Sequence, residues 1–136
     1  MEYPGGELKV DERTGSSSSY SLNTTHKHRD YSAWYHFVIA FDSRESTASE
    51  RLKIYRNGKR ETEVSGSYPA QHYASHWLET SSYANNHQIG REAARSDYET
   101  SGYLADIKII DGLALGPAAF GEFSTTNVWN PISMVP

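Results

Sequence analysis

The residues best equipped for chemistry fall into four groups. Glu61-Thr62-Glu63 places two carboxylates two positions apart, and on a strand such residues share a face. A retaining glycosidase holds its two carboxyls about 5–5.5 Å apart, which makes this pair the candidate for hydrolytic work; otherwise it belongs to a solvated hairpin face. Asp42, Asp106 and Asp111 offer the oxygen ligands that calcium takes from flexible loops. Asp42 and Asp111 are also explained as turn residues whose carboxylates accept backbone N–H bonds. His26 and His28 are two apart, and His72 and His76 four apart. Either pair can face one way, but without a third ligand nearby neither makes a zinc site. The last group is aromatic: Tyr68, His72, Tyr73, His76, Trp77 and Tyr83 crowd one polar stretch. Rings with polar handles stack on sugars and dominate protein interfaces, so this stretch is the candidate glycan or protein contact. The competing reading is that the rings cap the core. The spacing predicts Tyr73 and Trp77 on one face of a short helical turn over 73–78, at the rim of the domain.

These residues need a scaffold, and the composition bounds it. A chain of 136 residues suits one domain and can bury roughly two thirds of its unfolded surface without a disulfide or metal staple. The hydrophobic fraction of 37% is low, but ten tyrosines and three tryptophans bury large areas while keeping a polar end. The absence of cysteine excludes a disulfide scaffold, a thiolate zinc site and a cysteine nucleophile. A net charge of -4, from 17 acids and 13 bases, implies no basic face, so nucleic acid is not an expected partner. The longest apolar run, Phe37–Phe41, is far too short to span a bilayer, and no membrane partner is expected. Residues 1–11 carry no stretch resembling a signal peptide.

Along the chain, residues 1–30 read as an irregular N-terminal arm or linker. Thr14–Ser19 is loop-like in composition, and Tyr20–Leu22 is at most a short edge strand. Ala33–Phe41 is aromatic and β-branched on both faces, the pattern of a central strand. A polar loop over 42–50 follows. Asn57-Gly58 is a strong hairpin signal, because both tip positions need positive φ. It sets Arg56 opposite Lys59, Ile54 opposite Glu61 and Leu52 opposite Glu63. Two apolar residues then face two acids, which requires either a bulged register or glutamates near a sheet edge. Residues 87–91 read as a short strand. Gly102–Ile110 alternates cleanly, with Tyr103, Ala105, Ile107 and Ile109 as the core face of another strand. Leu115–Gly121 reads as one helical turn with Pro117 at its first position and Phe120 as its anchor. A last short strand covers 127–130. The fold class is all-β, a two-sheet antiparallel sandwich with very little helix, its domain running over 31–136.

Taken in order, Trp34–Asp42, Ile54–Gly58, Ile89–Arg91, Gly102–Gly112, Ala114-Leu115, Phe120–Glu122 and Trp129 resemble the laminin-G-like and pentraxin-like branch of the concanavalin A-like lectin/glucanase superfamily. The form is similar to that in structural proteins of tailed bacteriophages, marine ones especially. The resemblance covers about residues 31–131. It implies a jelly-roll of two antiparallel sheets, in which a W-x-H strand leads to a YxNG hairpin, then to a strand ending in Asp-Gly and an FGE turn. It also implies further strands before Trp34. With those positions read as loop, the domain is expected to lack N-terminal strands or to have its open edge covered by a neighbouring chain. Laminin-G-like and pentraxin-like domains often bind calcium, so calcium at Asp42, Asp106 or Asp111 is the one cofactor the resemblance allows. Glucanase members carry three acids at alternate positions; here Val64-Ser65 follows Glu63, so no catalytic residues and no enzymatic activity are expected. The expected function is a virion structural module, a capsid decoration or tail-associated protein. It would be assembled in the host cytoplasm and act through contacts with other virion chains or with itself. The alternative is a lectin-like carbohydrate-binding module, calcium-dependent in one version, and a glycoside hydrolase is the minor alternative.

Overall fold

Apolar and polar residues alternate in Leu8–Asp11 and again in Ser19–Asn23, and both runs lie in strand-forming segments. The computed structural model describes residues 6–14, 17–30, 32–77, 89–90 and 102–133. Strand β1 (Lys9–Thr14) pairs antiparallel with β2 (Ser17–Thr24), with a register shift between Glu12 and Arg13. Strand β3 (Phe37–Phe41) is followed by a single helical turn, α1 (Ala48–Arg51), and by β4 (Leu52–Arg56) and β5 (Lys59–Arg60). Strand β6 (Val64–Ser67) returns to the first sheet, giving the orders β1-β2-β6 and β3-β4-β5. A 3-10 turn (Pro117–Ala119) leads into a small hairpin of β7 (Gly121–Phe123) and β8 (Trp129–Pro131).

The period of two decides which side chains meet. Leu8, Val10, Tyr20 and Leu22 point inward from the first sheet, and Leu52 and Ile54 from the second, forming one buried cluster against which Phe37, Phe41 and Val64 pack. The two three-stranded sheets thus face each other across a shared core, the sandwich arrangement of an all-β jelly-roll domain. Gly66 stands opposite Leu22 with φ 110, and a Cβ there would lie 2.1 Å from the Ser21 carbonyl oxygen. Only glycine permits β6 to approach β2 so closely at that point.

Several expectations are corrected. Residues 1–30 are not an irregular arm: β1 and β2 lie within them, and with Leu8 just before β1 they supply four of the six core cluster residues. Each strand is rich in serine, threonine or charge, which masks the alternating apolar positions that fill the core. The strand expected over Ala33–Phe41 begins only at Phe37. Before it, His36 is bonded to the hairpin tip, its N–H to Asn57 Oδ1 at 2.8 Å and its carbonyl to Asn57 N–H at 2.8 Å, and Trp34 is exposed.

The largest correction concerns Gly102–Ile110, which forms no strand and joins no sheet among the described residues. Its supposed core face is open to solvent, with Tyr103 90% and Ile109 68% exposed. Asp106 sits at φ 55, a left-handed conformation that breaks the pleat, and its carboxylate accepts from Lys108 Nζ two residues on. The strand expected over 87–91 falls largely outside the described residues; Ile89 and Gly90 form a bend.

The Asn57-Gly58 hairpin forms as read, with φ of 47 and 76 at its tip and Arg56 opposite Lys59. Leu52 and Ile54 are buried, and the chain leaves the ladder after Glu61, whose N–H still donates to the Ile54 carbonyl at 2.9 Å. Glu63 never reaches Leu52: its carbonyl accepts instead from Thr25 N–H at 3.0 Å. The turn at Pro117 and the terminal strand also form, the strand over Trp129–Pro131.

This partition of buried and exposed isoleucine and leucine predicts a sharp contrast. Leu52→Ala empties a site that is 1% exposed and is expected to lower unfolding free energy by about 2–5 kcal/mol. Leu113→Ala, at a site 66% exposed, is expected to change it by less than about 0.5 kcal/mol. Urea denaturation of both variants checks this, and a large loss at Leu113 would contradict the exposed placement.

Candidate functional site

The outward face of the first sheet is polar throughout. Lys9, Asp11 and Arg13 alternate with the core residues of β1, and Ser19, Ser21 and Asn23 with those of β2. Because the strands are in register, Lys9, Asn23 and Ser65 form one row across three strands, and Asp11, Ser21 and Ser67 form the next. A groove of about 380 Å³ lies over these rows, lined by Glu7, Lys9, Ser21, Asn23, Thr24 and Ser65. Thr24 also ties its floor together: its hydroxyl accepts from Leu8 N–H at 3.0 Å and donates to the His26 carbonyl at 3.1 Å. Lys9 pairs with Asp11 at 3.5 Å, and Lys27 with Glu7 at 3.4 Å. The groove therefore presents hydroxyls, an amide and a carboxylate, with Lys9 largely buried at 8% exposure. Donors and acceptors so interleaved suit a polyhydroxylated ligand. None of these residues was singled out from the sequence, although the alternation of Leu8, Val10, Tyr20 and Leu22 is the signal that places their neighbours on the outer face.

The aromatic stretch serves another purpose. Tyr68, Tyr73 and Trp77 pack against the core cluster, Tyr73 edge-on to Tyr20 at 5.7 Å and Trp77 against Phe41 at 6.1 Å. The segment is pinned by the buried Glu12. One carboxylate oxygen accepts from Tyr73 hydroxyl at 2.9 Å and His76 N–H at 3.0 Å, the other from Ser75 hydroxyl at 2.6 Å and Tyr20 hydroxyl at 3.2 Å. With the His76 N–H given to a carboxylate, the helical turn expected over 73–78 does not form over Tyr73–Trp77; Leu78 lies outside the described residues, as does Tyr83. His72 is exposed at φ 58 with its N–H on the Ser43 carbonyl. Of the six residues expected as a contact surface, three rings are therefore committed to the core.

The two glutamates are separated in role. Glu61 is buried and bridges Arg56 Nε at 2.5 Å and His26 Nδ1 at 2.8 Å, so the solvated hairpin face expected for it is corrected. Burial alone pushes its carboxyl up, but Arg56 and His26 outweigh that and hold it below the usual range. Glu63 is exposed and turns to Thr25. Among the three aspartates, Asp42 is gripped by both Nε and Nη2 of Arg44 at 2.8 Å, which holds its carboxyl at about 2. Asp106 is taken by Lys108, and Asp111 is exposed. Among the described residues no group of three or more histidine, cysteine, aspartate or glutamate side chains is placed to hold a metal ion.

His26 and His28 also diverge. His28 is 9% exposed, packs against the rings of both Tyr35 and Phe37 at 5.1 and 5.0 Å, and has no hydrogen bond at either ring nitrogen. Burial, followed by the Arg56 charge, lowers its pKa below the ordinary 6.5. His36 moves the same way, through burial and then Lys108, with Asp106 opposing. A histidine depressed in the folded state binds fewer protons there than when unfolded. Its stabilising effect is complete above its unfolded pKa and is lost as pH falls through that value toward the folded one. The urea midpoint is accordingly expected to drop between neutral pH and pH about 5. His28→Phe, which preserves a ring against Tyr35 and Phe37, is expected to drop less; an equal fall would exclude His28 as a source.

Four elements of the ordered motif set converge in space. Trp129 donates its indole N–H to His36 Nδ1 at 3.0 Å with the rings stacked at 5.8 Å. A Cβ on Gly58 or Gly121 would lie 2.2 or 2.3 Å from the Trp129 ring, so both glycines give the indole room to seat. The W-x-H strand, the Asn-Gly tip, the FGE turn and the C-terminal tryptophan thus form one structural latch. Among the described residues no helix is long and apolar enough to cross a membrane. No curated protein and no solved structure matches the chain. A family model does match, over residues 2–118, a span that takes in β1 and β2 and so agrees with their place in the sandwich. The chain belongs to the concanavalin A-like lectin/glucanases superfamily, in its laminin-G group.

Proposed function

We propose that this protein is a lectin-like carbohydrate-binding module whose ligand lies in the groove on the outer face of the first sheet. The observation that carries the reading is the double row of polar side chains across β1, β2 and β6, which places Lys9, Ser21, Asn23 and Ser65 side by side with Glu7 at the rim. Sugar hydroxyls both donate and accept, and this lining offers partners for both roles. The groove falls within the roughly 300–1,000 Å³ typical of small-ligand pockets. Binding is favoured over hydrolysis because glycoside cleavage needs two carboxyls flanking one bond, and Glu7 is the one carboxylate in this lining.

A second reading, a structural module of a bacteriophage particle acting through protein contacts, is favoured by a different observation. Tyr103, Leu104, Ile107, Ile109 and Leu113 are all exposed within one short segment, and clustered exposed apolar residues mark interaction surfaces.

Glycan-array screening followed by calorimetry separates the two. The wild type is expected to bind a defined glycan without cleaving it. Asn23→Ala combined with Ser65→Ala is expected to weaken binding about tenfold or more, two lost hydrogen bonds of about 0.5–1.5 kcal/mol each, with the melting temperature unchanged. Glu7→Gln is expected to weaken it further. Absence of any glycan partner, or affinity indifferent to all three substitutions, would overturn the groove assignment; release of a shortened sugar would return the protein to the glucanases.

A further inference from the structure

The segment Tyr103–Ile110 is exposed and without a ladder partner among the described residues, and its sequence alternates like a strand. Its sequence is self-complementary in an antiparallel sense. Centred on Ile107, two copies would set Asp106 opposite Lys108 twice, Leu104 opposite Ile110 twice and Ala105 opposite Ile109 twice. Directly opposed side chains lie on the same face of a ladder, where unlike charges and paired β-branched or aliphatic groups stabilise it and like charges destabilise it. Neighbouring registers fail on this criterion. A slip of one residue sets Asp106 or Lys108 against Ile107, and a slip of two sets Asp106 against Asp106 or Lys108 against Lys108. A short strand whose charges choose one register out of several is specified for a partner of the same sequence.

We infer that this segment is a self-association strand through which two copies of the chain pair about a twofold axis at Ile107. The interface is isologous, as closed dimers require. In the single chain, Lys108 donates to Asp106 of the same copy while Asp106 takes its left-handed turn. On pairing, Asp106 returns to the extended region, which aspartate does at little cost. Each Lys108 then exchanges its own Asp106 for the one across the axis, and the unpaired backbone groups of both segments gain partners. The charge complementarity selects a second copy as the occupant, in preference to an unrelated apolar surface that would offer no match for the Asp–x–Lys pair. This inference stands apart from the groove, which lies on the other sheet's outer face.

Sedimentation equilibrium of the full chain over a wide concentration range tests it. The wild type is expected to approach twice 15.3 kDa. Asp106→Lys and Lys108→Asp, both on an exposed segment, are each expected to weaken association at least about tenfold by setting like charges opposite one another, with circular dichroism unchanged. The double variant, Asp106→Lys with Lys108→Asp, restores unlike pairs and is expected to restore the dimer. Hydrogen exchange should show amides 104–110 protected only at concentrations where the dimer forms. A chain that stays monomeric throughout, including one with 104–110 protected against its own free β3 edge, overturns the inference. So does a dimer indifferent to both reversals, or a double variant that fails to recover.

Discussion

Tyr20 has no exposed surface, and its hydroxyl therefore needs an acceptor inside the protein. Glu12 is that acceptor, and it is itself buried on the inner face of the first sheet. A buried carboxylate is tolerable only when its oxygens are occupied. Tyr73, Ser75 and His76 complete the set and thereby bring the 73–77 segment down over the core. Burial first, and the Glu12 charge second, push the Tyr20 phenol far above its usual range, so it remains a neutral donor at any ordinary pH. One polar hub thus joins β1 and β2 of the first sheet to the aromatic lid over the core.

The outer face follows from the same geometry. Once Leu8, Val10, Tyr20 and Leu22 are required inside, the residues between them are required outside, and register lines them up into rows. A flat polar sheet face with small serine side chains leaves room between longer neighbours at Glu7 and Lys9. The groove is a consequence of alternation combined with unequal side-chain length, and it needs no dedicated loop to build it.

The second sheet is closed by the latch at Trp129. A donor-only indole N–H meets the acceptor nitrogen of a neutral His36, while Gly58 and Gly121 leave the space its ring occupies. His36, the Asn57-Gly58 tip and Gly121 are far apart in sequence and adjacent in space because the one indole of Trp129 packs against all of them. Their role here is to hold the terminal hairpin against the β4–β5 turn.

What was legible in the sequence was whatever depends on a few adjacent residues: the Asn57-Gly58 turn, whose two positive φ angles suit Asn and Gly, the Pro117 turn, and the all-β character. The ordered motifs pointed to the superfamily, and the family match bears that out. The first thirty residues were misread because serine and charge outnumber the alternating apolar positions, and it is burial against a second sheet that turns those few residues into a core. Gly102–Ile110 was misread in the opposite sense. Its alternation is genuine, but a pattern states only that one face wants cover; whether cover arrives depends on a partner strand and on the backbone of Asp106. The roles of Glu61 and of the aromatic segment were likewise decided in three dimensions, by Arg56 and His26 in one case and by Glu12 in the other. Local conformation is set by neighbours in the chain, whereas the fate of a charge or a ring is set by what the fold brings against it.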